Sequence, residues 1–152
     1  MHIDLPWFVV PFLVGCIIQI IKLSIDLAIH KRISRKWLWW AGWFPSVHGG
    51  ISASIAMLMA LEFGVDSFEF ALAFTFAFLF WYDAANIRYE AGQHALMLNK
   101  IWAELSTVLD PRQKKWRAHD QLKERLWHTF TEVVGGVLIG ASLTYAYRTF
   151  LA

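Results

Sequence analysis

The sequence predicts an all-α integral membrane protein, a bundle of about four transmembrane helices with one further amphipathic helix at the membrane surface. Composition is the first reason, since 57% of the 152 residues are hydrophobic, 16% are aromatic and only 17% are charged. The second reason is the position of the Lys and Arg residues, most of which lie in two clusters between apolar segments. The third is a set of long uncharged runs, at 5–21, 37–61, 70–82 and 133–147.

Each uncharged run is expected to form one membrane span. A bilayer core about 30 Å thick needs roughly 20 helical residues, or fewer where polar residues complete the span at its edges. The runs at 5–21 and 37–61 meet this length, whereas those at 70–82 and 133–147 need their polar flanks. The first run has no basic segment before it and no small-residue cleavage site after it, so we interpret it as a span and not as a signal peptide. At this length we expect a single domain over residues 1–152.

A fifth helical segment is predicted between the third and fourth spans, at residues 90–110. Its apolar residues recur at helical spacing with Glu, Lys and Asn between them, which is typical of an amphipathic helix at a membrane interface. Asp110 and Pro111 should end this helix, and residues 112–121 are expected to form a solvated connector. The apolar positions are Ala91, Ala95, Leu98, Trp102 and Leu105.

The basic residues predict how the bundle is oriented. Four of the fourteen Lys and Arg residues lie in 31–36 and eight lie in 88–125, whereas 62–69 holds only acidic charges. Because basic loops stay in the cytoplasm, both basic segments should be inside and both termini outside, in a bacterial inner membrane. Interleaving with spans argues against nucleic-acid binding and favours contact with anionic lipid. Cys16 is the only cysteine, so no internal disulfide is expected.

In this orientation every span carries its ionisable residues at the cytoplasmic end. Such groups are costly inside a membrane and usually face the bundle interior or a water-filled cavity. We therefore expect one polar site where the four ends meet. Its candidate residues are Lys22 and Asp26 of the first span, Pro45, Ser46 and His48 of the second, Asp83, Asn86 and Arg88 of the third, and Lys123, Arg125, His128 and Glu132 of the fourth.

Taken singly, these residues have simpler explanations. Lys22 can extend towards lipid headgroups or pair with Asp26, which is four residues along the same helical face. His48 can be a hydrogen-bonded packing histidine, Arg88 an orientation charge, and His94 an interfacial residue of the amphipathic helix. Their occurrence at one level of the membrane is what favours a joint role. No role is expected for His2, His30 and His119.

The polar site has the chemistry of a phosphate site. Ser46 precedes a helix whose first N–H groups suit an anion, with Pro45 close to the helix start. A phosphoryl-transfer transition state needs positive charge around its oxygens, which Lys22, Arg88, Lys123 and Arg125 can supply. His128 and Glu132 have helical i, i+4 spacing, so the carboxylate is expected to orient the imidazole.

Three segments, in this order, resemble the divergent branch of the type-two phosphatidic acid phosphatase superfamily. They are "FPSVHGG" (44–50), "YDAANIRYEAGQHALMLNK" (82–100) and "LKERLWHTFTEVVGGVLIG" (122–140). The resemblance implies a lipid phosphate phosphatase that needs no metal or cofactor. It further implies that His128 is the nucleophile, Glu132 its orienting residue and His48 the general acid. Ser46 and Lys22 would bind the phosphate, and Asp83, Arg88, Gly92, Gln93 and Asn99 match a middle motif whose role the resemblance does not assign.

The chain also departs from the parent superfamily. Ile29 and His30 stand where Arg-Pro is expected, and Leu122 stands where an arginine is expected, with Lys123 next. Glu132 replaces an aspartate, Val47 a small residue and Trp127 a glycine. These changes affect the residues expected to bind the phosphate more than they affect the two histidines expected to be catalytic. The parent enzymes tend to face outward, whereas the charges here place the site inside.

Two other functions remain open from the residues. Asp83, Glu132 and His94 could bind magnesium, for which oxygen ligands are suitable. Alternatively, the module could bind or translocate anionic lipid without catalysis, with Gly135, Gly136 and Gly140 serving only close helix packing. For the phosphatase, the expected partners are a lipid phosphate and the surrounding lipids, and a homo-oligomer is compatible with the sequence. Phosphatidic acid, phosphatidylglycerol phosphate and polyprenyl phosphates all suit such a headgroup site.

Overall fold

A computed structural model of the protein describes residues 5–31, 44–108, 122 and 129–151, and within these ranges every regular element is a helix. The predicted all-α membrane bundle is therefore confirmed. The elements are α1 (Val9–His30), α2 (Val47–Phe63), α3 (Phe68–Tyr82), a π-helical turn (Asp83–Ile87), α4 (Arg88–Val108) and α5 (Phe130–Phe150).

The predicted spans correspond to α1, α2, α3 and α5. Three helical stretches of the described chain are long and apolar enough to cross a membrane, namely Val9–Ile29, Phe68–Leu105 and Phe130–Phe150. By contrast, α2 has 17 residues, which gives a length of about 26 Å. This is slightly less than the roughly 30 Å of a bilayer core, so polar residues at its ends complete this span.

α2 and α5 run parallel and are joined at three levels. At their first turns the Ser46 backbone N–H donates to the Glu132 carbonyl over 2.9 Å. Further along, the hydroxyls of Thr144 and Ser54 hydrogen-bond over 2.6 Å. At the far end Arg148 Nε lies 2.7 Å from Glu62 Oε1. Residue numbers rise together along both helices, so α2 and α5 begin at the same end of the bundle.

α1 and α3 run in the opposite direction. The N-terminal side of α1 lies beside the end of α5, because the Leu5 N–H donates to the Tyr147 hydroxyl over 3.0 Å. A short turn connects α2 to α3, and Trp81 Nε1 near the end of α3 donates to Ser52 Oγ over 2.8 Å. Two helices therefore end, and two begin, at one end of the bundle, which is here called the polar end.

Glycine allows the helices to pack backbone against backbone near the polar end. A Cβ atom on Gly136 would overlap the backbone of Ser46, and one on Gly140 would overlap that of Gly50. Gly50 in turn contacts Ile18 of α1, whose side chain fills the space a Cβ would need. Such small-residue contacts drive helix association in membranes, where lipid is as apolar as the helix surface. The close helix packing expected at Gly136 and Gly140 is therefore found, whereas Gly135 faces the Phe44 ring.

Large apolar side chains cover the outside of the bundle. Of the fifteen residues of α3 only Ala77 is buried, while phenylalanines such as Phe74, Phe76 and Phe78 are exposed. The buried residues are mostly small or branched, as at Ala53 and Val133. An apolar exterior around a small-residue core is the arrangement expected of helices surrounded by lipid.

α4 continues directly from α3 through the π-helical turn and starts at Arg88, earlier than the predicted amphipathic segment. Of the predicted apolar positions, Ala95 is buried and Trp102 is half-buried, whereas Leu98 and Leu105 are exposed. Gly92, one turn before Ala95, is also buried. The predicted helix end at 110–111 lies outside the described residues.

Candidate functional site

Four polar side chains from three segments are buried at the polar end. Their exposed fractions are 8% for Lys22, 8% for Asp26, 0% for Ser46 and 6% for Glu132. Lys22 and Asp26 lie one turn apart on α1, Ser46 caps α2, and Glu132 lies in the first turn of α5. The predicted convergence of polar residues at one end is thus found for these four, which are called the buried cluster below.

Ser46 is built into the junction of two helices. It follows a cis Phe44–Pro45 peptide bond and is the N-cap of α2, its Oγ accepting from the Gly49 N–H over 3.2 Å. Serine is a preferred N-cap because its side chain satisfies one of the helix's unpaired N–H groups. Its own N–H is bonded to α5, as described above. The first turn of α2, the part of a helix that suits an anion, is therefore fixed against α5.

The two glycines that follow His48 allow this junction to form. A Cβ on Gly49 would lie 3.0 Å from the Val133 carbonyl oxygen, which is tighter than ordinary packing. A Cβ on Gly50 would overlap Ile18 and lie 3.2 Å from the Gly136 carbonyl oxygen. The Gly-Gly pair therefore lets α1 and α5 both approach the start of α2.

Glu132 is a helix-capping residue as well as a member of the buried cluster. Its Oε2 accepts from the Thr129 N–H over 3.0 Å, and Thr129 Oγ1 accepts from the Glu132 N–H over 3.4 Å. This reciprocal pair is a capping box, which satisfies two backbone donors at the helix start. Glu132 also interacts electrostatically with Lys22.

The start of α5 bears on one expectation about the proposed nucleophile. Helix α5 begins at Phe130, and its N-cap Thr129 is extended, with ψ 155°. His128, and with it the expected i, i+4 relation to Glu132, lies outside the described residues. The carboxylate of Glu132 accepts from the backbone N–H of Thr129, the residue covalently linked to His128. Any orienting effect on His128 that rests on the described contacts runs through that backbone.

His48 is not part of the buried cluster. It is the second residue of α2 and is exposed. Its carbonyl accepts from Ser52 Oγ over 2.7 Å, and Ser52 faces Trp81 of α3. His48 lies one turn before Ser52 and so on the same face. The side of α2 that carries His48 is therefore the side towards α3.

The middle motif begins where the helix geometry changes. Asp83 is half-buried and opens the π-helical turn, and Ala84 behind it is buried. Single π-helical turns occur frequently at functional sites, because the extra residue per turn re-aims neighbouring side chains. Arg88 is the first residue of α4, and its side chain lies outside the description.

Asn99 has a clear contact, although the sequence left its role unassigned. Its Nδ2 donates to the Leu122 carbonyl over 2.9 Å, and its Oδ1 accepts from the Leu122 N–H over 3.0 Å. Of its neighbours in the motif, Gly92 is buried and Gln93 is half-buried. The middle motif is thus connected through Asn99 to the start of the third segment that resembles the family, residues 122–140, which is called the third motif below.

An apolar groove of about 310 Å³ lies between α3 and α5. It reaches from Val133, next to Glu132, to Leu138 further along α5, with Trp81 and Tyr82 on the other wall. A second groove of about 320 Å³ lies between α2 and α3. The first groove therefore begins at the first turn of α5, where Phe130 and Val133 line it, and runs along the side of that helix facing α3.

Several predicted site residues are not tested by the geometry. Lys123, Arg125 and His128 lie outside the described residues, so their positions relative to the buried cluster remain predictions. His94 is exposed on α4. Among the residues that the structure describes, no group of three or more His, Cys, Asp and Glu side chains could hold a metal ion.

Three contacts described above were not predicted from the sequence. Thr129 and Glu132 have the Thr-x-x-Glu spacing of a capping box, a local signal that was available. The Trp81–Ser52 bond and the Asn99–Leu122 bonds join residues far apart in sequence. No local pattern reveals those two contacts.

Comparison with the sequences of known proteins identifies the family of this chain. The sequence profile described as "Divergent PAP2 family" matches residues 3–143. The "Uncharacterized membrane protein YuiD" of Bacillus subtilis (strain 168) is 29% identical over 137 residues, covering 87% of each chain. No solved structure matches this chain. With a match over nearly its whole length and several apolar helices, this integral membrane protein belongs to the Divergent PAP2 family.

Proposed function

We propose that the protein is a lipid phosphate phosphatase whose active site is at the polar end. The observation that carries the proposal is the buried cluster. Lys22, Asp26, Ser46 and Glu132 are buried together at one end of an otherwise apolar bundle. Buried ionisable residues in a membrane bundle are costly and usually serve function. The family match, whose description refers to phosphatidic acid phosphatases, favours phosphate chemistry over other uses of the same charges.

The reaction follows from the roles that the resemblance gives the histidines. An imidazole nitrogen of His128 attacks phosphorus, the bond from phosphorus to the lipid oxygen breaks, and His48 protonates that oxygen. Water then attacks the phosphohistidine and gives a proton back to His48, the phosphorus–nitrogen bond breaks, and inorganic phosphate leaves. In sum, one water and one lipid phosphate give a lipid alcohol and phosphate. The same steps remove the terminal phosphate of a lipid diphosphate.

The surrounding residues stabilise charge during this transfer. Lys22, Arg88, Lys123 and Arg125 supply positive charge for the phosphate oxygens. The first turn of α2, capped by Ser46, adds backbone N–H groups that favour an anion. Glu132 holds the Thr129 backbone and thereby the start of α5. Asp83 lies in the π-helical turn, on the side of the bundle that His48 faces.

The substrate class is a lipid whose chain lies in the bilayer while its headgroup is at the polar end. The groove between α3 and α5 supports this assignment, since it is mostly apolar and begins at the first turn of α5, the turn that also carries Glu132. The basic segments at 31–36 and 88–125 favour the cytoplasmic side for the polar end. We therefore propose entry from the inner leaflet, with both termini outside.

A phosphate-release assay tests the proposal directly. Purified protein in detergent is given phosphatidic acid, phosphatidylglycerol phosphate or a polyprenyl phosphate, with and without EDTA. Release should persist in EDTA, stop with vanadate, and be abolished in His128→Ala and strongly reduced in His48→Ala. His2→Ala is the matched histidine control and should keep wild-type activity. Absence of release from all three lipids, or full activity of His128→Ala, contradicts the proposal.

A non-catalytic lipid-binding module is the second candidate, and one observation favours it. His48 is exposed and lies outside the buried cluster, so the cluster can attract an anionic headgroup without that histidine. This alternative predicts saturable binding of phosphatidic acid without phosphate release. The EDTA arm also separates a magnesium-dependent enzyme, for which activity should be lost on chelation.

A further inference from the structure

The side chain of Asn99 makes a two-point contact with the backbone of one distant residue. Its amide donates to the carbonyl of Leu122 and accepts from the N–H of Leu122, over 2.9 and 3.0 Å. Only the amide side chains of Asn and Gln combine a donor and an acceptor in this geometry. The partners are 23 residues apart, so the contact fixes a long connection and is not a local turn.

Leu122 and Thr129 bracket the segment that carries the proposed nucleophile. Leu122 is held by Asn99 of α4, and the Thr129 N–H is held by Glu132 of α5. Six residues lie between them, Lys123 to His128. Hydrogen bonds from two different helices therefore fix the chain immediately before and immediately after residues 123–128.

α4 is suited to serve as the fixed side of this contact. It leaves the π-helical turn without a break, so its start is set by α3. Gly92 and Ala95 are buried on it, and Asn99 follows Ala95 by four residues and Gly92 by seven. This spacing puts all three on one helical face. The face of α4 that is packed is thus the face that presents Asn99.

We propose that Asn99 is a positioning residue for catalysis. It fixes the start of the third motif against α4, so that Lys123, Arg125 and His128 are delivered to the polar end. This inference rests on the proposed function and assigns a role to the middle motif. Asn99 touches the backbone of Leu122 and acts through it, so it is not a catalytic residue.

The expected size of the effect follows from how steeply phosphoryl transfer depends on alignment. A displacement of about 1 Å in a catalytic group costs roughly 100-fold in rate. Asn99→Ala should therefore lower kcat by about 10- to 100-fold while KM changes little. Asn99→Asp should be as impaired, because a carboxylate keeps the acceptor but loses the donor and faces the Leu122 carbonyl. Asn99→Gln keeps both groups and should recover part of the activity.

Ser67→Ala is the matched control for lost hydrogen bonds. Ser67 Oγ also makes two contacts, donating to the Gly64 carbonyl over 2.7 Å and accepting from the Phe70 N–H over 3.1 Å. These contacts lie at the opposite end of the bundle. The variant should lose stability comparable to Asn99→Ala yet keep wild-type kcat.

Hydrogen exchange measures the contact without turnover. The Leu122 amide donates to Asn99, so a peptide spanning Leu122 should exchange faster in Asn99→Ala than in wild type or Ser67→Ala. The inference is supported by faster exchange together with a kcat loss that Asn99→Gln partly reverses. It is overturned if Asn99→Ala matches Ser67→Ala in kcat, or if the exchange does not change. An inactive wild-type protein rejects the proposed function and the catalytic role of Asn99 with it, whereas an active wild type with a normal Asn99→Ala rejects this inference alone.

Discussion

Removing the charge of Lys22 should be among the most damaging single substitutions in the protein. Lys22 is buried and interacts electrostatically with Glu132 across the helix interface. Lys22→Met keeps a long apolar side chain of similar length but leaves the Glu132 carboxylate without this cation. Breaking a buried charge pair by removing one partner costs about 3–5 kcal/mol, because the remaining charge stays desolvated. We expect a loss of that size in the free energy of unfolding.

Glu132→Gln separates the charge of Glu132 from its capping function. Glutamine can occupy the same place in a capping box, since its carbonyl also accepts from the N-cap N–H. The bond to the Thr129 N–H is therefore kept, and only the negative charge beside Lys22 is removed. The expected cost is smaller, about 1–3 kcal/mol. In the Lys22→Met/Glu132→Gln double variant the two losses should not add, because each removes the same interaction.

The assay is equilibrium unfolding of the purified variants in mixed micelles of mild and denaturing detergent. Glu62→Gln is the matched control, because it breaks the Glu62–Arg148 ion pair at the other end of the bundle. Those side chains are 24% and 37% exposed, so the expected loss is about 0.2–1 kcal/mol. The predicted order of destabilisation is Lys22→Met, then Glu132→Gln, then Glu62→Gln.

Two outcomes would refute this reasoning. If Lys22→Met destabilises no more than Glu62→Gln, the buried cluster is hydrated and its charges do not depend on one another. If the losses from Lys22→Met and Glu132→Gln add fully in the double variant, the two residues do not interact across α1 and α5. In either case Lys22 would not be a cation that Glu132 holds in the buried cluster.

Two further substitutions test the packing that forms the polar end. Gly136→Ala should destabilise the protein by about 1–3 kcal/mol, because the added Cβ overlaps the Ser46 backbone. Gly135→Ala should cost less, because the added atom meets the Phe44 ring, which can turn aside; equal losses in the unfolding assay would contradict the backbone contact. Trp81→Phe should cost about 1 kcal/mol through loss of the bond to Ser52 Oγ. Ser52→Ala should then add little to Trp81→Phe, and full additivity would show that the bond does not contribute.

Local sequence signals predicted much of the framework. The apolar runs gave the spans because transfer of a helix into lipid depends on composition over roughly 20 residues. Pro45 and Ser46 before two glycines indicated the start of α2, because proline and serine suit the residues around a helix N-terminus. The convergence of Lys22, Ser46 and Glu132 followed from the basic loops, which set the direction of every span.

The continuous helix from α3 into α4 was not predictable in the same way. The charged and polar residues after Asp83 suggested that the span ends near Arg88. The structure instead has a π-helical turn there and continues as α4. In a π-helical turn each hydrogen bond spans five residues, whereas in an α-helix it spans four. The amino-acid composition does not indicate which of the two forms.

Contacts between distant segments account for the rest. The Asn99–Leu122 and Trp81–Ser52 bonds each depend on which segments are neighbours in the bundle. The alternating direction of the spans does not determine which spans are neighbours. The start of α5 at Phe130, after the extended N-cap Thr129, was also not predicted.

The three contacts between α2 and α5 bear on whether the protein is an enzyme or a lipid translocator. Translocation requires helices to move against each other around a central site. α2 and α5 are instead joined at the polar end, in the middle and at the far end, by Ser46–Glu132, Ser54–Thr144 and Glu62–Arg148. For α3, the hydrogen bond to α2 that the structure describes is Trp81–Ser52. Lipid access to the buried cluster should therefore occur beside α3, with α2 and α5 fixed.

A disulfide between α2 and α5 tests this difference. The hydroxyl oxygens of Ser54 and Thr144 are 2.6 Å apart, so cysteines at these positions are close to the geometry of a disulfide. After Cys16→Ser removes the native thiol, Ser54→Cys/Thr144→Cys can be oxidised and then reduced in the same sample. A phosphatase with a fixed α2–α5 pair should release phosphate equally in both states. Activity that is lost on oxidation and restored on reduction would mean that the two helices must separate, and the translocator would then be the better reading of the same buried charges.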